Sequence, residues 1–296
     1  MGMNRMVDER TVRASDALRL AVQDAGPRFQ IDGGDHRAPL LCLAGLTRSM
    51  RDFHALRDHF AYHPTAPRRV VLMDTRGRGA SDYAPDAEHY SVRQEADDAA
   101  SVATALNLHG AVIIGTSRGG LLAMALALTR AGLIAGSVLN DIGPRIAVRG
   151  LLRLRAQLGT ASLPDSWQQA AADLKSTMGH QFPAFGDTDW DDFARRTYRE
   201  VNGKPALDFD PRILEGLAAF TSQSAAPDVT APFKALVQKP ALLLRGGYSD
   251  LLDEETLAEA VAMGATPHTV EGQGHAPALQ GGVLDVIEAF LADNQL

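Results

Sequence analysis

Cysteine is nearly missing from this chain: Cys42 is the only one in 296 residues. An intramolecular disulfide and a cysteine-based zinc site are both excluded, and the scarcity agrees with a reducing compartment. Long apolar runs are missing as well. No stretch reaches the ~18 residues that a membrane span needs. The first twenty residues, MGMNRMVDERTVRASDALRL, hold no apolar segment of the length of a secretion signal. Positive charge is in deficit, with 29 Lys and Arg against 36 Asp and Glu, a formal net charge of −7. That argues against a nucleic-acid partner, whose phosphates call for a basic face. No repeat or low-complexity tract occurs. These absences lead us to expect a cytoplasmic protein with neither a membrane nor a nucleic-acid partner. The hydrophobic share of 45% and the charged share of 22% are ordinary for a globular chain. The length suits one large α/β domain or two smaller ones.

What is present centres on Val112-Ile113-Ile114-Gly115-Thr116-Ser117-Arg118-Gly119-Gly120. A β-branched run ends in G-T-S-R-G, and a helical pattern begins at once. Strand, G-x-S-x-G, helix is the context in which this motif carries weight. The turn is sharp, so the strand and helix backbones pass close together. Gly115 and Gly119, two residues either side of Ser117, supply the room. Ser117 then stands at the tip of the turn and at a helix N-terminus, where free N–H groups favour negative charge.

Around this stretch, buried-strand texture recurs. Leu40–Leu43, Arg69–Met73, Ser137–Asp141 and Pro240–Arg245 are continuous apolar runs of the kind a doubly covered parallel sheet uses. Arg13–Ala25 and Phe29–Gly34 suggest an antiparallel hairpin before them, and residues 1–10 a ragged start. Helices are expected near 50–60, 91–107, 254–263 and 281–292, with a short strand near 266–270. Ser91 is a candidate N-cap with Gln94 as its capping-box partner. From about 145 to 235 the texture changes to helical patterns and polar loops. The alternation implies a mostly parallel sheet with helices on both faces. The expected division is a first core part over 1–143, a helical cap over 144–235 and a second core part over 236–296. In such sheets ligands lie beyond the carboxyl ends of the strands, and each suggestive loop follows one.

A serine hydroxyl needs a base within hydrogen-bond reach, and the base needs a third group to orient it. In this architecture the chain order is serine, acid, histidine. Ser117, Asp250 and His275 fit it, each just after an expected strand. Asp141 also follows a strand and is the alternative acid; Asp250 is preferred because Gly143-Pro144 follow Asp141 directly at the entry to the insertion. The oxyanion donors are expected to be the backbone N–H groups of Arg118 and Leu46, each worth ~3 kcal/mol to the transition state. The Arg118 side chain is expected to pair with a structural acid such as Asp74 or Asp82, or else to hold a substrate carboxylate. Arg76 and Asp82 are read as loop braces. Arg48, beside the oxyanion loop, and the two tryptophans of the cap, Trp167 and Trp190, are candidate substrate contacts; solvent for Arg48 and the cap core for the tryptophans are the alternatives.

With these residues placed, the chain resembles the α/β-hydrolase superfamily over nearly its whole length. The carriers are G-T-S-R-G-G, S-D-L-L at 249–252 and G-H-A-P at 274–277. C-L-A-G-L-T-R-S at 42–49, D-T-R-G-R-G-A-S-D at 74–82 and L-N-D-I-G-P at 139–144 resemble a bacterial subgroup with a C-L-P-G-L-T-R-N oxyanion loop, similar to esterases and enol-lactonases. The resemblance implies an eight-stranded, mostly parallel sheet with a helical cap. It also implies a serine hydrolase of a small-molecule ester or lactone, with no cofactor and no metal. A carbon–carbon hydrolase of a ring-fission product is the second enzymatic reading, although Ala276 stands where such enzymes usually carry tryptophan. Ser117 argues against the aspartate-nucleophile dehalogenases and epoxide hydrolases. A non-catalytic small-molecule receptor on the same scaffold is the reading of another class.

Overall fold

The computed structural model describes residues 6–28, 37–159, 163–218 and 220–296. Ten strands are present among them: β1 (Val7–Arg13), β2 (Arg19–Ala25), β3 (Leu40–Leu43), β4 (Val70–Met73), β5 (Ala111–Thr116), β6 (Ile134–Asn140), β7 (Tyr198–Val201), β8 (Lys204–Leu207), β9 (Ala241–Gly246) and β10 (Thr266–Val270). Eight of them form one sheet in the order β1-β2-β4-β3-β5-β6-β9-β10. β1 and β2 run antiparallel, and the pairings from β4 to β10 are parallel. This is the expected α/β-hydrolase architecture.

The sequence accounts for the centre of this sheet directly. β3, β4 and β9 are buried at every position. Such strands can only lie between two helical layers, because neither face can be left to water. The layers come from α1 (His54–Ala61), α2 (Val92–Ala105), α3 (Arg118–Thr129) and, later in the chain, the final helices. Ser91 caps α2 as expected, its Oγ accepting from Gln94 N–H at 3.2 Å. The box is half made, because the Gln94 side chain turns to Asp98 instead.

The N-terminal hairpin lies earlier than expected. Its strands are Val7–Arg13 and Arg19–Ala25, and the expected strand at 29–34 lies outside the described residues. The reason is that β1 sits at the sheet edge. Its Asp8, Glu9 and Arg10 read as a solvated start, yet charged side chains are how an edge strand avoids pairing with another chain.

The segment expected as the cap, 144–235, contains α4 (Val148–Gly159), α5 (Trp167–Met178), α6 (Asp187–Thr197) and α7 (Glu215–Ala218). It also holds the hairpin β7–β8, which helical texture alone did not predict. Asn202-Gly203 turns it, with φ of 52° and 78°, and an Asn-Gly pair between short strands is a hairpin signal. α5 and α6 enclose an aromatic core of their own around Trp190. The next helix, α8 (Thr230–Leu236), packs against α3, with Phe233 and Leu236 in the main core. But for Leu236, this helix falls within the expected cap segment 144–235, yet it lies over the sheet. α9 (Glu254–Ala262) and α10 (Gly282–Asp293) complete the chain close to where they are expected. Among the described residues no helix is long and apolar enough to cross a membrane.

Candidate active site

The carboxyl ends of β5, β6 and β9 open on one edge of the sheet, and the site is built from the loops that follow. Ser117 sits between β5 and α3 at φ 51°, ψ −111°. A residue with a Cβ rarely adopts such a backbone. The packing around it holds the turn. A Cβ on Gly119 would lie 2.0 Å from the Leu43 carbonyl oxygen, and one on Gly115 would lie 2.6 Å from the Gly119 backbone. Strand and helix touch there, so only glycine fits.

His275, in the loop after β10, reaches both neighbours. Its Nε2 lies 3.0 Å from Ser117 Oγ, and its Nδ1 lies 2.6 Å from Asp141 Oδ2. With the proton on Nδ1, the ring donates to Asp141 and leaves Nε2 to accept from the serine hydroxyl. Asp141 is fully buried. Gly246 N–H donates to its Oδ1 at 2.8 Å, and the Ser249 hydroxyl donates to its Oδ2 at 2.6 Å. Its carboxylate is thus held by three donors, one of which is the imidazole. The His275 loop is held too. Asn140 Nδ2 donates to the Pro277 carbonyl at 2.9 Å, and His275 N–H donates to Gln181 Oε1 of the cap at 3.3 Å.

Asp250, the expected acid, is placed elsewhere. Its carboxylate faces Arg153 of α4 in a two-pronged ion pair, Nε to Oδ2 at 2.5 Å and Nη2 to Oδ1 at 3.0 Å. Burial raises the pKa of Asp250, but Arg153 outweighs it and holds the carboxyl below its ordinary value. The physical reason for the correction is that β6 and β9 are adjacent, with Asn140 paired to Leu244. Loops after both strands reach the same edge, so chain order cannot choose between them. The usable signal was Asp141's position directly after a strand with no intervening loop.

The expected oxyanion donors lie where their peptides are held. The Gly45 carbonyl accepts from Arg48 N–H at 3.2 Å. In a trans peptide this turns the Leu46 N–H the opposite way. The Ser117 carbonyl accepts from Gly120 N–H at 2.9 Å, so the Arg118 N–H points off the start of α3, as first-turn amides do. Arg78 braces the loop through Nε to the Leu46 carbonyl at 2.8 Å.

The Arg118 side chain has a structural partner, though neither Asp74 nor Asp82. Its Nε donates to Glu95 Oε2 at 2.6 Å, and Arg78 takes Glu95 Oε1 at 2.7 Å. Burial opposes a charge on Glu95, but the two guanidiniums outweigh it and depress its pKa. Arg76 braces as expected, forked onto buried Asp98 at 2.6 Å, and Asp82 pairs with Arg19 at 2.8 Å.

Above Ser117 and His275 lies a cavity of about 1030 Å³ between core and cap. Leu154, Leu158, Phe182, Phe193 and Leu214 give it apolar walls, and Arg48 lines it. Neither tryptophan does. Trp190 is 2% exposed in the cap's aromatic core, and Trp167 lies under the Arg195 guanidinium at 3.8 Å. Both serve the cap's packing rather than the cavity wall.

The alpha/beta hydrolase family model matches residues 40–285. A 3-hydroxybutyrate-oligomer hydrolase of Cupriavidus necator is 33% identical over 254 residues, covering 82% of this chain and 85% of that protein. A solved alpha/beta hydrolase of Novosphingobium aromaticivorans is 34% identical, with a TM-score of 0.87 and full coverage of both chains. An E-2-(acetamidomethylene)succinate hydrolase shares the fold at 20% identity and a TM-score of 0.75, over 97% of this chain and 100% of that one. With the serine turn, the covered sheet and these matches together, the chain belongs to the alpha/beta hydrolase family.

Proposed function

We propose that this protein is a serine hydrolase that cleaves carboxylic esters or lactones through an acyl-enzyme on Ser117. The observation that carries this reading is the unbroken hydrogen-bonded series Ser117–His275–Asp141 on the floor of a large, mostly apolar cavity. His275 Nε2 takes the hydroxyl proton as Ser117 Oγ attacks the carbonyl carbon. The imidazolium that forms donates through Nδ1 to Asp141, whose charge it meets in a buried site. The Leu46 and Arg118 amides receive the developing oxyanion. His275 then protonates the departing alkoxide, and the acyl group remains on Ser117. A water molecule, deprotonated by His275, attacks the acyl carbon, and collapse of the second tetrahedral adduct returns the proton to Ser117 and frees the acid.

The apolar walls suit an acyl or alkyl chain. The similarity to a protein named for hydrolysing 3-hydroxybutyrate oligomers supports ester substrates made of short hydroxy acids. Ala276 after His275 gives no support to the carbon–carbon reading.

The test is hydrolysis of p-nitrophenyl esters from acetate to decanoate by wild type, Ser117→Ala and His275→Ala, with fluorophosphonate labelling in parallel. Ester cleavage and labelling, both lost in Ser117→Ala, are expected. Folded wild type that neither cleaves nor labels would sink the reading.

A further inference from the structure

One wall of the cavity is not used by the chemistry above. Core and cap meet there: Arg48 and Asp52 from the core, Arg196 and Thr197 from the end of α6, and Gln280 from the loop that carries His275. Arg48 takes both oxygens of Asp52, Nε to Oδ2 at 2.7 Å and Nη2 to Oδ1 at 2.5 Å, and its Nη1 donates to Thr197 Oγ1. One carboxylate is therefore forked onto one guanidinium.

Arg196 is left with weak partners. Its Nε lies 3.8 Å from Asp52 Oδ1, and its Nη1 lies 3.4 Å from Gln280 Oε1. A guanidinium has five N–H donors, and among the described residues these are its only ion-pair and hydrogen-bond contacts, with the Phe193 ring 6.0 Å from its Cζ. Its side chain is 23% exposed, and burial lowers its proton affinity from the usual arginine range. Asp173 and Asp192 also line the cavity, but they are exposed, and among the described residues neither pairs with Arg48 or Arg196. The cavity's other arginines are occupied: Arg51 by Asp208 and the Tyr198 carbonyl, Arg195 by the Trp167 ring and Glu200. Asp52 is thus the one carboxylate that Arg48 and Arg196 contact directly, and Arg48 holds both its oxygens, while Asp192 and Asp189 act on Arg196 only from a distance. The corner also adjoins the oxyanion loop. Arg48's stem lies against Gly45 of the oxyanion loop, where a Cβ would be 3.3 Å from Arg48 Cγ.

We propose that Arg196, backed by Arg48, is a subsite for a free carboxylate on the substrate, so that the favoured esters are half-acids with a terminal carboxylate. The reaction in this proposal rests on the ester-hydrolase reading; the binding does not. A planar guanidinium with unused donors matches a carboxylate in a two-pronged geometry. The anion would also tie α6 of the cap to the core loops.

The test compares p-nitrophenyl monoesters of adipic and suberic acid with the same esters methylated at the far carboxyl. For wild type we expect kcat/KM to favour the free acid by about tenfold or more at one length, through KM, as removal of a charge-assisted hydrogen-bond partner implies. Arg196→Gln should bring that ratio close to one, and Arg196→Lys should keep part of it. A wild-type ratio at or below one for both lengths would overturn the proposal. So would a ratio unchanged in folded Arg196→Gln. Calorimetric binding of adipate and suberate to Ser117→Ala, with and without Arg196→Gln, separates the two readings. Arg196-dependent binding in a protein that cleaves no ester keeps the subsite and removes the hydrolase reading. Normal ester cleavage with neither carboxylate preference nor binding removes the subsite alone.

Discussion

Asp141 Oδ2 lies 2.6 Å from His275 Nδ1, while Asp250 is held by Arg153 of the cap. The two acids follow neighbouring strands, and they do different work. Asp141 is tied by Gly246 N–H and the Ser249 hydroxyl in a buried pocket. Asp250 joins the second core segment to α4.

The first prediction follows from that division. Asp141→Asn should lower kcat by about 10³–10⁴-fold, because an amide can hold the imidazole in the wrong tautomer and cannot meet its charge. Asp250→Asn should change kcat by less than about tenfold, since it touches the cap and not the imidazole. Steady-state kinetics on one p-nitrophenyl ester, with circular dichroism to check folding, decides this. Equal losses in the two variants would contradict the assignment.

The turn at Ser117 should tolerate no added methyl. Gly119→Ala puts a Cβ 2.0 Å from the Leu43 carbonyl oxygen, and such overpacking costs about 1–3 kcal/mol or more. Gly132→Ala, with nothing within 4 Å, is the control and should leave stability within about 0.5 kcal/mol. Urea melts measure both, and the fluorophosphonate labelling rate should fall only for Gly119→Ala.

Glu95 should carry an acid-labile share of the stability. Its carboxyl is depressed below the ordinary 4.5 because Arg78 and Arg118 outweigh the cost of its burial. A depressed carboxyl contributes fully above its unfolded value, and the contribution is lost as pH falls through the folded one. Glu95→Gln leaves two guanidiniums without their carboxylate and should cost about 3–5 kcal/mol at neutral pH. The gap between wild type and variant should narrow on acidification below roughly pH 4.5. Urea midpoints across that range test it, and a gap independent of pH would count against it.

Trp190 should hold the cavity wall from behind. It meets Phe182 at 6.3 Å and Phe193 at 6.1 Å between ring centroids, and both phenylalanines line the cavity. Trp190→Ala removes a large buried side chain, a change that costs about 3–5 kcal/mol in a well-packed core. Loosened walls bind substrate less well while Ser117 and His275 stay on the core, so KM should rise more than kcat falls. Kinetics below the variant's melting temperature separate the two constants.

Much of this molecule is written locally in the chain. The strands β3, β4, β5 and β9 are short apolar runs that only a doubly covered sheet can accommodate. The turn at Ser117 follows from two glycines and the strand and helix that flank them. His275 stands out because glycine and proline mark its loop just after a strand. These features depend on neighbours a few residues away, so the sequence alone determines them.

Other features depend on groups far apart in the chain, and only the tertiary structure decided them. Asp141 and Asp250 are equally well placed by chain order, and the choice rests on which carboxylate the donors of Gly246, Ser249 and His275 surround. Arg118 could be read as structural, but its partner Glu95 lies 23 residues earlier and is shared with Arg78. α8 reads from sequence as part of the segment 144–235, and its packing on α3 appears only in the fold. Arg196 carries no motif; its donors stand unused because Arg48 has already taken both oxygens of Asp52. Hydrophobic period and turn chemistry are local properties, whereas the pairing of charges is a competition among residues that folding brings together.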